Sequence, residues 1–139
     1  MKTHWHDVAR ATLEGAESGS QSFPEGVRVL LEAGFDGYMV DFRTSTRTYY
    51  MPDGQAITLA TATTEPVAKD FDAAMIRMAI SEAQAMVPGY TYKGFCAKVA
   101  RAGCAGYMVS LPGKRVLYYG RTGETHTEYF PGVRPSAAP

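Results

Sequence analysis

The sequence has few cysteines and no long apolar run. Its 139 residues include two cysteines, Cys96 and Cys104, with no CxxC pair, so we expect two buried thiols in a reducing compartment rather than a disulfide. No stretch approaches the roughly 20 apolar residues that span a bilayer. Residues 1–13 contain charged side chains where a signal peptide needs an apolar region. We therefore expect a cytoplasmic protein that does not enter a membrane.

The charge balance and the missing motifs narrow the function classes. Fourteen basic residues offset fourteen acidic ones, so the chain lacks the net positive charge typical of nucleic-acid binding, and we expect no such partner. The sequence has no nucleophile elbow, no phosphate-binding loop and no His/Cys spacing of a zinc site. It therefore predicts no metal, no cofactor and no catalytic residue, and it leaves open whether the protein is an enzyme.

What the sequence does contain is an internal repeat. Shifted by 69 positions, residues 23–54 align without a gap over residues 92–123. The tetrapeptide GYMV occurs at 37–40 and again in register at 106–109, and paired tyrosines recur in the same register. Several identical blocks in one register indicate a duplicated unit.

Local patterns predict the same order of elements in each unit. Ser22 and Glu25 form a capping box, which is typical of a helix start, and Gly34 fits the left-handed residue that ends a helix. Thr91 and Gly103 stand in the same places in the second unit. After each of these helices the apolar residues alternate as in strands joined by short turns. Each unit therefore reads helix, helix, strand, strand, strand.

Three strands with one apolar face are not stable alone. We therefore predict an α+β fold in which two pseudo-twofold-related units form a mostly antiparallel sheet packed against helices. The predicted domain covers residues 1–130, with units at about 4–61 and 70–130. The tail, residues 131–139, contains three prolines and is expected to be flexible.

Three boundaries follow from residues that favour turns and caps. Residues 15–21 are dense in Gly and Ser and predict the end of a first helix capped by Thr3. Asp70 or a residue near it is expected to begin the third helix. Pro112 and Gly113 suit the central positions of a type II turn.

The last strand of the second unit differs in character from its counterpart. Ile57 and Leu59 align with His126 and Glu128, and alternation places Glu124 on the same strand face. One imidazole and two carboxylates can relay a proton or bind a divalent metal. The other interpretation is a solvent-exposed face on which His126 and Glu128 form a weak surface pair.

Tyrosine is prominent, with nine residues. Consecutive tyrosines on a strand point to opposite faces, so one of each pair is expected to pack inward. Outward tyrosines beside Arg43, Arg47, Arg115 and Arg121 would form a stacking surface for a base, a peptide or a sugar. The alternative is that the tyrosines fill the sheet as cross-strand pairs. The candidate binding residues at matched positions are Tyr38, Tyr107, Tyr49 and Tyr118.

The segments SFPE, AGFDGYMVDF, TYYMPDG and YYGRTGETHTEYFPG, in this order, resemble a family of small bacterial and prophage proteins of unknown function. Some members of that family are labelled phage envelope protein. The resemblance covers residues 22–132 and implies a compact α+β protein of intracellular or prophage origin. It implies no established reaction and no assigned catalytic residue.

Two functions are compatible with these features. The first is a non-enzymatic binding or assembly module, prophage-associated, that presents tyrosines to a protein partner or to another copy of itself. The second is a small metal-dependent or hydrolase-like enzyme that uses His126 and Glu128. An enzyme requires a pocket where His126, a carboxylate and a third polar group converge, whereas a binding module requires a broad exposed aromatic patch.

Overall fold

The computed structural model describes residues 4–133, and over this range it contains four helices and six strands. The first unit consists of α1 (His4–Ser18), α2 (Phe23–Glu32), β1 (Gly37–Asp41), β2 (Thr46–Tyr50) and β3 (Ala56–Ala60). The second consists of α3 (Ala73–Ala85), α4 (Tyr92–Arg101), β4 (Cys104–Ser110), β5 (Arg115–Gly120) and β6 (Thr125–Tyr129). The predicted α+β fold with a repeated helix-helix-strand-strand-strand order is confirmed.

The six strands form one antiparallel sheet in the order β3-β2-β1-β4-β5-β6. At its centre β1 pairs with β4, and Met39 lies opposite Met108. These two residues are equivalent in the repeat, so the pseudo-twofold axis passes between them. The outer pairs repeat one register as well, with Tyr49 opposite Tyr38 in one unit and Tyr118 opposite Tyr107 in the other.

The predicted caps of α2 and α4 are confirmed. The Glu25 amide donates to Ser22 Oγ at 3.3 Å, and the Ser22 amide donates to Glu25 Oε1 at 2.7 Å. Gly34 follows α2 with φ of 85°, the left-handed conformation that glycine adopts without steric cost. The amide of Gly94 donates to Thr91 Oγ1 at 2.9 Å at the start of α4.

The predicted end of α1 is wrong, whereas α3 begins close to Asp70, as predicted. Helix α1 continues through Gly15 to Ser18, because this glycine provides room for Gln21, whose Cβ lies 2.8 Å from where a Gly15 Cβ would be. Helix α3 is capped by Asp72 rather than Asp70, and the Asp72 carboxylate accepts a hydrogen bond from the amide three residues on.

The predicted type II turn between β4 and β5 is also wrong. A type II turn requires a positive φ at Gly113, but the residue with positive φ is Lys114, at 51°. The Gly113 amide instead donates to Ser110 Oγ at 2.9 Å. Ser45, the counterpart of Lys114 in the first unit, has φ of 56°, so both units use a turn with the same left-handed residue.

One face of the sheet packs against the helices and forms the core. Helix residues such as Leu30, Ile76 and Val99 are at most 1% exposed and belong to the same apolar cluster as the inward residues of the strands. Tyr49 is buried while Tyr50 is exposed, and Tyr118 is more buried than Tyr119. The prediction that one tyrosine of each pair points inward is confirmed.

Two further predictions concern residues that the structure describes only in part or not at all. The cap residue Thr3 and residues 134–139 of the predicted tail lie outside the described residues. No helix within residues 4–133 is long and apolar enough to cross a membrane.

Candidate functional site

The arginine of β2 is buried in the core among tyrosines. Arg47 is 3% exposed; its Nη1 donates to the Tyr49 hydroxyl at 3.1 Å and its Nη2 to the Tyr92 hydroxyl at 2.8 Å. The guanidinium carbon lies 4.5 Å from the ring centroid of Tyr38. The Tyr92 hydroxyl also shares a 2.7 Å hydrogen bond with that of Tyr107. We call these five residues the Arg47 cluster.

The Arg47 cluster carries a positive charge that no carboxylate balances. Among residues 4–133, Arg47 takes part in no ion pair, and its buried Nε has no hydrogen-bond partner. The guanidinium remains protonated in proteins. Contacts with aromatic faces stabilise it by about 2 kcal/mol when desolvated, but a buried cation ordinarily has a counter-charge as well.

The hydroxyls of the cluster do not supply that counter-charge at neutral pH. Burial raises the pKa of Tyr38 to about 12, although Arg47 opposes the shift. Burial likewise raises the pKa of Tyr92 and Tyr107. The nearby thiol of Cys96 has its pKa raised to about 11, again chiefly by burial. These groups are therefore neutral at pH 7, and the cluster has a net positive charge.

A cavity of about 30 Å³ lies beside the Arg47 cluster, a volume close to that of one water molecule. Tyr92 belongs both to the cluster and to the cavity wall. The Thr64 hydroxyl, also in the wall, is buried without a hydrogen-bond partner. We call this cavity the linker cavity, because the linker between β3 and α3, residues 61–72, forms one wall. It is lined by Glu17, Val40, Phe42, residues 61–64, Tyr92, Lys93 and Cys96.

The linker that forms one wall of this cavity is hydrogen-bonded on both sides of residues 63–66. The Thr61 amide donates to the Ser45 carbonyl at 2.9 Å, and Arg121 Nη1 donates to the Val67 carbonyl at 3.2 Å. The Ala62 amide donates to Glu17 Oε2 at 2.9 Å, and the Ala68 amide donates to the Ala100 carbonyl at 3.0 Å. Between these anchors, residues 63–66 form no backbone–backbone hydrogen bond with any described residue. The middle of the linker is therefore held less firmly than its ends.

The positions that the repeat relates to this site carry apolar side chains. Arg47, Tyr92, Cys96 and Thr61 correspond to Val116, Phe23, Val27 and Phe130. Phe23 and Phe130 pack edge to face with ring centroids 5.6 Å apart. Thr61 lines the cavity, whereas its counterpart Phe130 is a large aromatic ring that packs on Phe23, the counterpart of Tyr92.

The four candidate tyrosines are all in the core. Tyr38, Tyr49, Tyr107 and Tyr118 are between 0% and 7% exposed. The first three belong to the Arg47 cluster, and Tyr118 packs against Tyr107 with centroids 5.4 Å apart. The expectation that Arg47 lies on the outward face is wrong, because Arg47 follows the same alternation as Tyr49 and points inward.

The candidate residues of β6 separate into a pair and a single carboxylate. His126 Nε2 and Glu128 Oε1 are 3.0 Å apart, and the two side chains are 17% and 34% exposed. The His126 ring stacks on Tyr118 at 6.4 Å. Glu124 instead accepts a hydrogen bond from Thr122 Oγ1 at 2.7 Å in the preceding turn. Within residues 4–133, no three His, Cys, Asp or Glu side chains are grouped as a metal site requires.

Sequence reasoning did not identify Arg47 and Tyr92 as partners. One signal was present, because the repeat aligns Arg47 with Val116, a charged residue with an apolar one at an inward strand position. The contact itself joins residues 45 positions apart and depends on how α4 crosses the first unit.

No family model matches the chain, and no curated protein matches its sequence. The resemblance to prophage proteins stays a prediction.

Proposed function

We propose that this protein is a non-enzymatic binding module that holds a small ligand in the linker cavity. The observation that carries the proposal is a buried, unbalanced arginine next to a cavity, together with two buried polar atoms that lack partners, Arg47 Nε and Thr64 Oγ1. Buried polar groups in folded proteins are nearly always satisfied, and the exceptions call for a functional explanation.

A small ligand agrees better with the burial of the candidate tyrosines than a macromolecule does. Tyr38, Tyr49 and Tyr107 lie under the helix layer and are at most 5% exposed, so a protein surface would reach them only if helices moved away. The linker cavity gives a shorter route to the cluster through Tyr92. The resemblance of residues 22–132 to prophage proteins supports a prophage-associated, intracellular role for this module.

The size of the cavity determines how a ligand enters. About 30 Å³ accommodates one or two non-hydrogen atoms, so a larger ligand requires the middle of the linker to move outward. Residues 63–66 are suited to this because they form no backbone–backbone hydrogen bond with described residues. Local opening of such weakly bonded segments has a low free-energy cost.

The test fills the cavity with the side chain that the second unit uses. Thr61→Phe copies Phe130, and Thr58→Phe is the matched control, because Thr58 is an exposed threonine in β3, three residues before Thr61. The wild type and both variants are screened by thermal unfolding against small carboxylates, amines, sugars and nucleosides. We expect at least one compound to raise the unfolding temperature of the wild type and of Thr58→Phe, but not of Thr61→Phe.

A screen in which no compound separates the wild type from Thr61→Phe contradicts the proposal. If Thr61→Phe does not fold, Tyr92→Phe takes its place, since it copies Phe23 and removes only one hydroxyl. Loss of binding in that variant supports the proposal, and unchanged binding contradicts it.

A second candidate function, a hydrolase-like enzyme, is favoured by one observation. His126 and Glu128 form a hydrogen-bonded pair that is partly buried on the core side of β6. The pair has no third polar partner among the hydrogen bonds of the described residues. His126→Ile, which copies Ile57, tests it: loss of hydrolysis of generic ester substrates relative to the wild type supports an enzyme, and no activity in either protein contradicts it.

A further inference from the structure

We infer that the ligand is a small monoanion, a carboxylate or an inorganic ion, that accepts a hydrogen bond from the Tyr92 hydroxyl and is attracted by the positive charge of Arg47. This inference rests on the proposed function and adds the chemical class of the ligand. It concerns the Arg47 cluster and the linker cavity together, because Tyr92 is the residue they share.

The unbalanced positive charge of Arg47 favours an anionic ligand. Arg47 is cationic, whereas Tyr38, Tyr92, Tyr107 and Cys96 are neutral at pH 7, because burial raises the pKa of each of them. One negative charge in the cavity would balance the cluster. A neutral ligand would leave the guanidinium without a counter-charge in the core.

The direction of the hydrogen bonds at Tyr92 favours a ligand that accepts a hydrogen bond. The Tyr92 oxygen accepts from Arg47 Nη2 at 2.8 Å and shares a 2.7 Å hydrogen bond with the Tyr107 hydroxyl. When Tyr107 is the donor of that pair, the Tyr92 proton remains to be donated, and its acceptor is either the Cys96 sulfur, with which Tyr92 interacts, or a ligand in the cavity. The Arg47 charge polarises this O–H bond and makes it a stronger donor. Thr64 is another residue of the wall, and its buried hydroxyl has no partner among the described residues, so we assign it as a second donor to the ligand.

The cavity wall contains further charges, and they act on an anion in opposite directions. Tyr92 and Lys93 belong to the first turn of α4, where the helix dipole favours an anion. Lys93 and Glu17 both line the cavity and oppose each other in sign. Glu17 is fixed by its hydrogen bond with the Ala62 amide, and its charge disfavours an anion. Replacing this carboxylate with an amide is therefore expected to strengthen anion binding.

The test compares ions with neutral molecules of the same shape. Formate is paired with formamide and acetate with acetamide, and chloride is added as an inorganic monoanion. Dissociation constants come from the rise of unfolding free energy with concentration at fixed ionic strength. The proteins are the wild type, Arg47→Met, Glu17→Gln and Val116→Met, which places the same side chain at the equivalent position of the other unit.

We expect the wild type to bind formate or acetate at least tenfold more tightly than the matching amide. Arg47→Met should lose at least tenfold of this affinity, Val116→Met should keep it, and Glu17→Gln should bind severalfold more tightly. Tight binding of chloride together with weak binding of both carboxylates supports the monoanion and identifies its source as an inorganic ion. If Arg47→Met does not fold, Tyr92→Phe replaces it, with the same expected loss.

The outcomes separate this inference from the proposal beneath it. If an amide binds as tightly as its ion and Arg47→Met keeps that affinity, the inference is overturned, while the loss of binding in Thr61→Phe still supports a cavity ligand. If neither ions nor amides bind but another screened compound does so in the wild type and not in Thr61→Phe, the inference alone is overturned. If nothing binds, both are overturned.

Discussion

The two units share a backbone and a strand register but differ in the polarity of their interiors. Beside β2 of the first unit lie a buried arginine and a cavity that α4 of the second unit completes, whereas the positions equivalent to Arg47, Tyr92 and Thr61 are Val116, Phe23 and Phe130. The second unit in turn has His126 and Glu128 where the first has Ile57 and Leu59. Since one backbone tolerates both sets of side chains, the polar set in each unit is not required for folding.

The positions that match show what the shared backbone does require. A Cβ at Gly37 would overlap the Val109 carbonyl, and a Cβ at Gly106 would overlap the Val40 carbonyl. These two contacts are related by the pseudo-twofold axis. The central strands therefore need glycine in both units for steric reasons. Matches of this kind follow from packing, in contrast to the positions at which the two units differ.

The largest expected effect comes from two equivalent glycines in different surroundings. Gly34 and Gly103 both have positive φ, but a Cβ at Gly34 meets open space, whereas one at Gly103 would overlap the Asp70 carbonyl. We expect Gly34→Ala to cost about 1 kcal/mol and Gly103→Ala more than about 3 kcal/mol. Urea unfolding of the two variants measures both values, and equal costs would show that the linker does not pack at Gly103 as described.

A second matched pair tests the hydroxyls of the inward tyrosines. Tyr49 accepts from Arg47 and from the Thr12 hydroxyl at 2.9 Å, whereas Tyr118 forms no hydrogen bond with another described residue through its hydroxyl. Tyr49→Phe removes the acceptor of the buried Arg47 Nη1, whereas the Thr12 hydroxyl keeps its hydrogen bond to the Ala9 carbonyl, and the variant should cost about 2 kcal/mol. Tyr118→Phe should cost less than about 0.5 kcal/mol. Chemical unfolding of both variants checks this, and a larger loss for Tyr118→Phe would reverse the assignment.

The third prediction concerns alkaline stability, because the cysteines have apolar counterparts in the first unit. Burial raises the pKa of Cys96 from 9.0 to about 11. Between these pH values the unfolded chain loses a proton that the folded chain keeps, so stability falls as pH rises. Each such thiol contributes a slope of about 1.4 kcal/mol per pH unit.

Cys96→Val copies Val27 and removes this term. Its unfolding free energy is expected to fall less steeply than that of the wild type between pH 9 and 11, and denaturant unfolding at a series of pH values measures the two slopes. Cys104, whose pKa burial raises to about 12, remains in both proteins and serves as the internal reference. Identical slopes would mean that the Cys96 thiol is not desolvated.

The smallest expected effect concerns β6. The His126 and Glu128 side chains are partly exposed, and pairs of this kind contribute between about 0 and 1 kcal/mol. His126→Ile and Glu128→Leu, which copy the first unit, should therefore change the unfolding free energy by less than about 1 kcal/mol. A loss of several kcal/mol in thermal or urea unfolding would give the pair a structural role that its exposure does not indicate.

The sequence was sufficient for the fold because the relevant signals are local or repeated. The capping box at Ser22, the left-handed Gly34 and the alternation of Tyr49 with Tyr50 each depend on neighbouring residues, and the register of the repeat ordered the elements. The end of α1 was missed because Gly15 ordinarily disfavours a helix, whereas here it makes room for a side chain from the following loop.

The candidate site was predictable only in part. The inward tyrosines Tyr38, Tyr49 and Tyr107 were identified, but the spacing did not show that they surround Arg47. That arrangement depends on Tyr92, which comes from the other unit, and on the small side chain of Thr61 next to the cavity. Contacts between distant segments and the space left by a missing ring are three-dimensional properties that alternation does not encode.

The pairing of Met39 with Met108 has a consequence for assembly at high concentration. The edge that each half offers is the one its own other half already recognises, so a half from a second molecule is an equally good match. Two chains that open at the connecting segment would exchange halves and rebuild both sheets with every contact retained. Such an intertwined dimer would place the connecting segments, and with them one wall of each linker cavity, at the crossover between molecules.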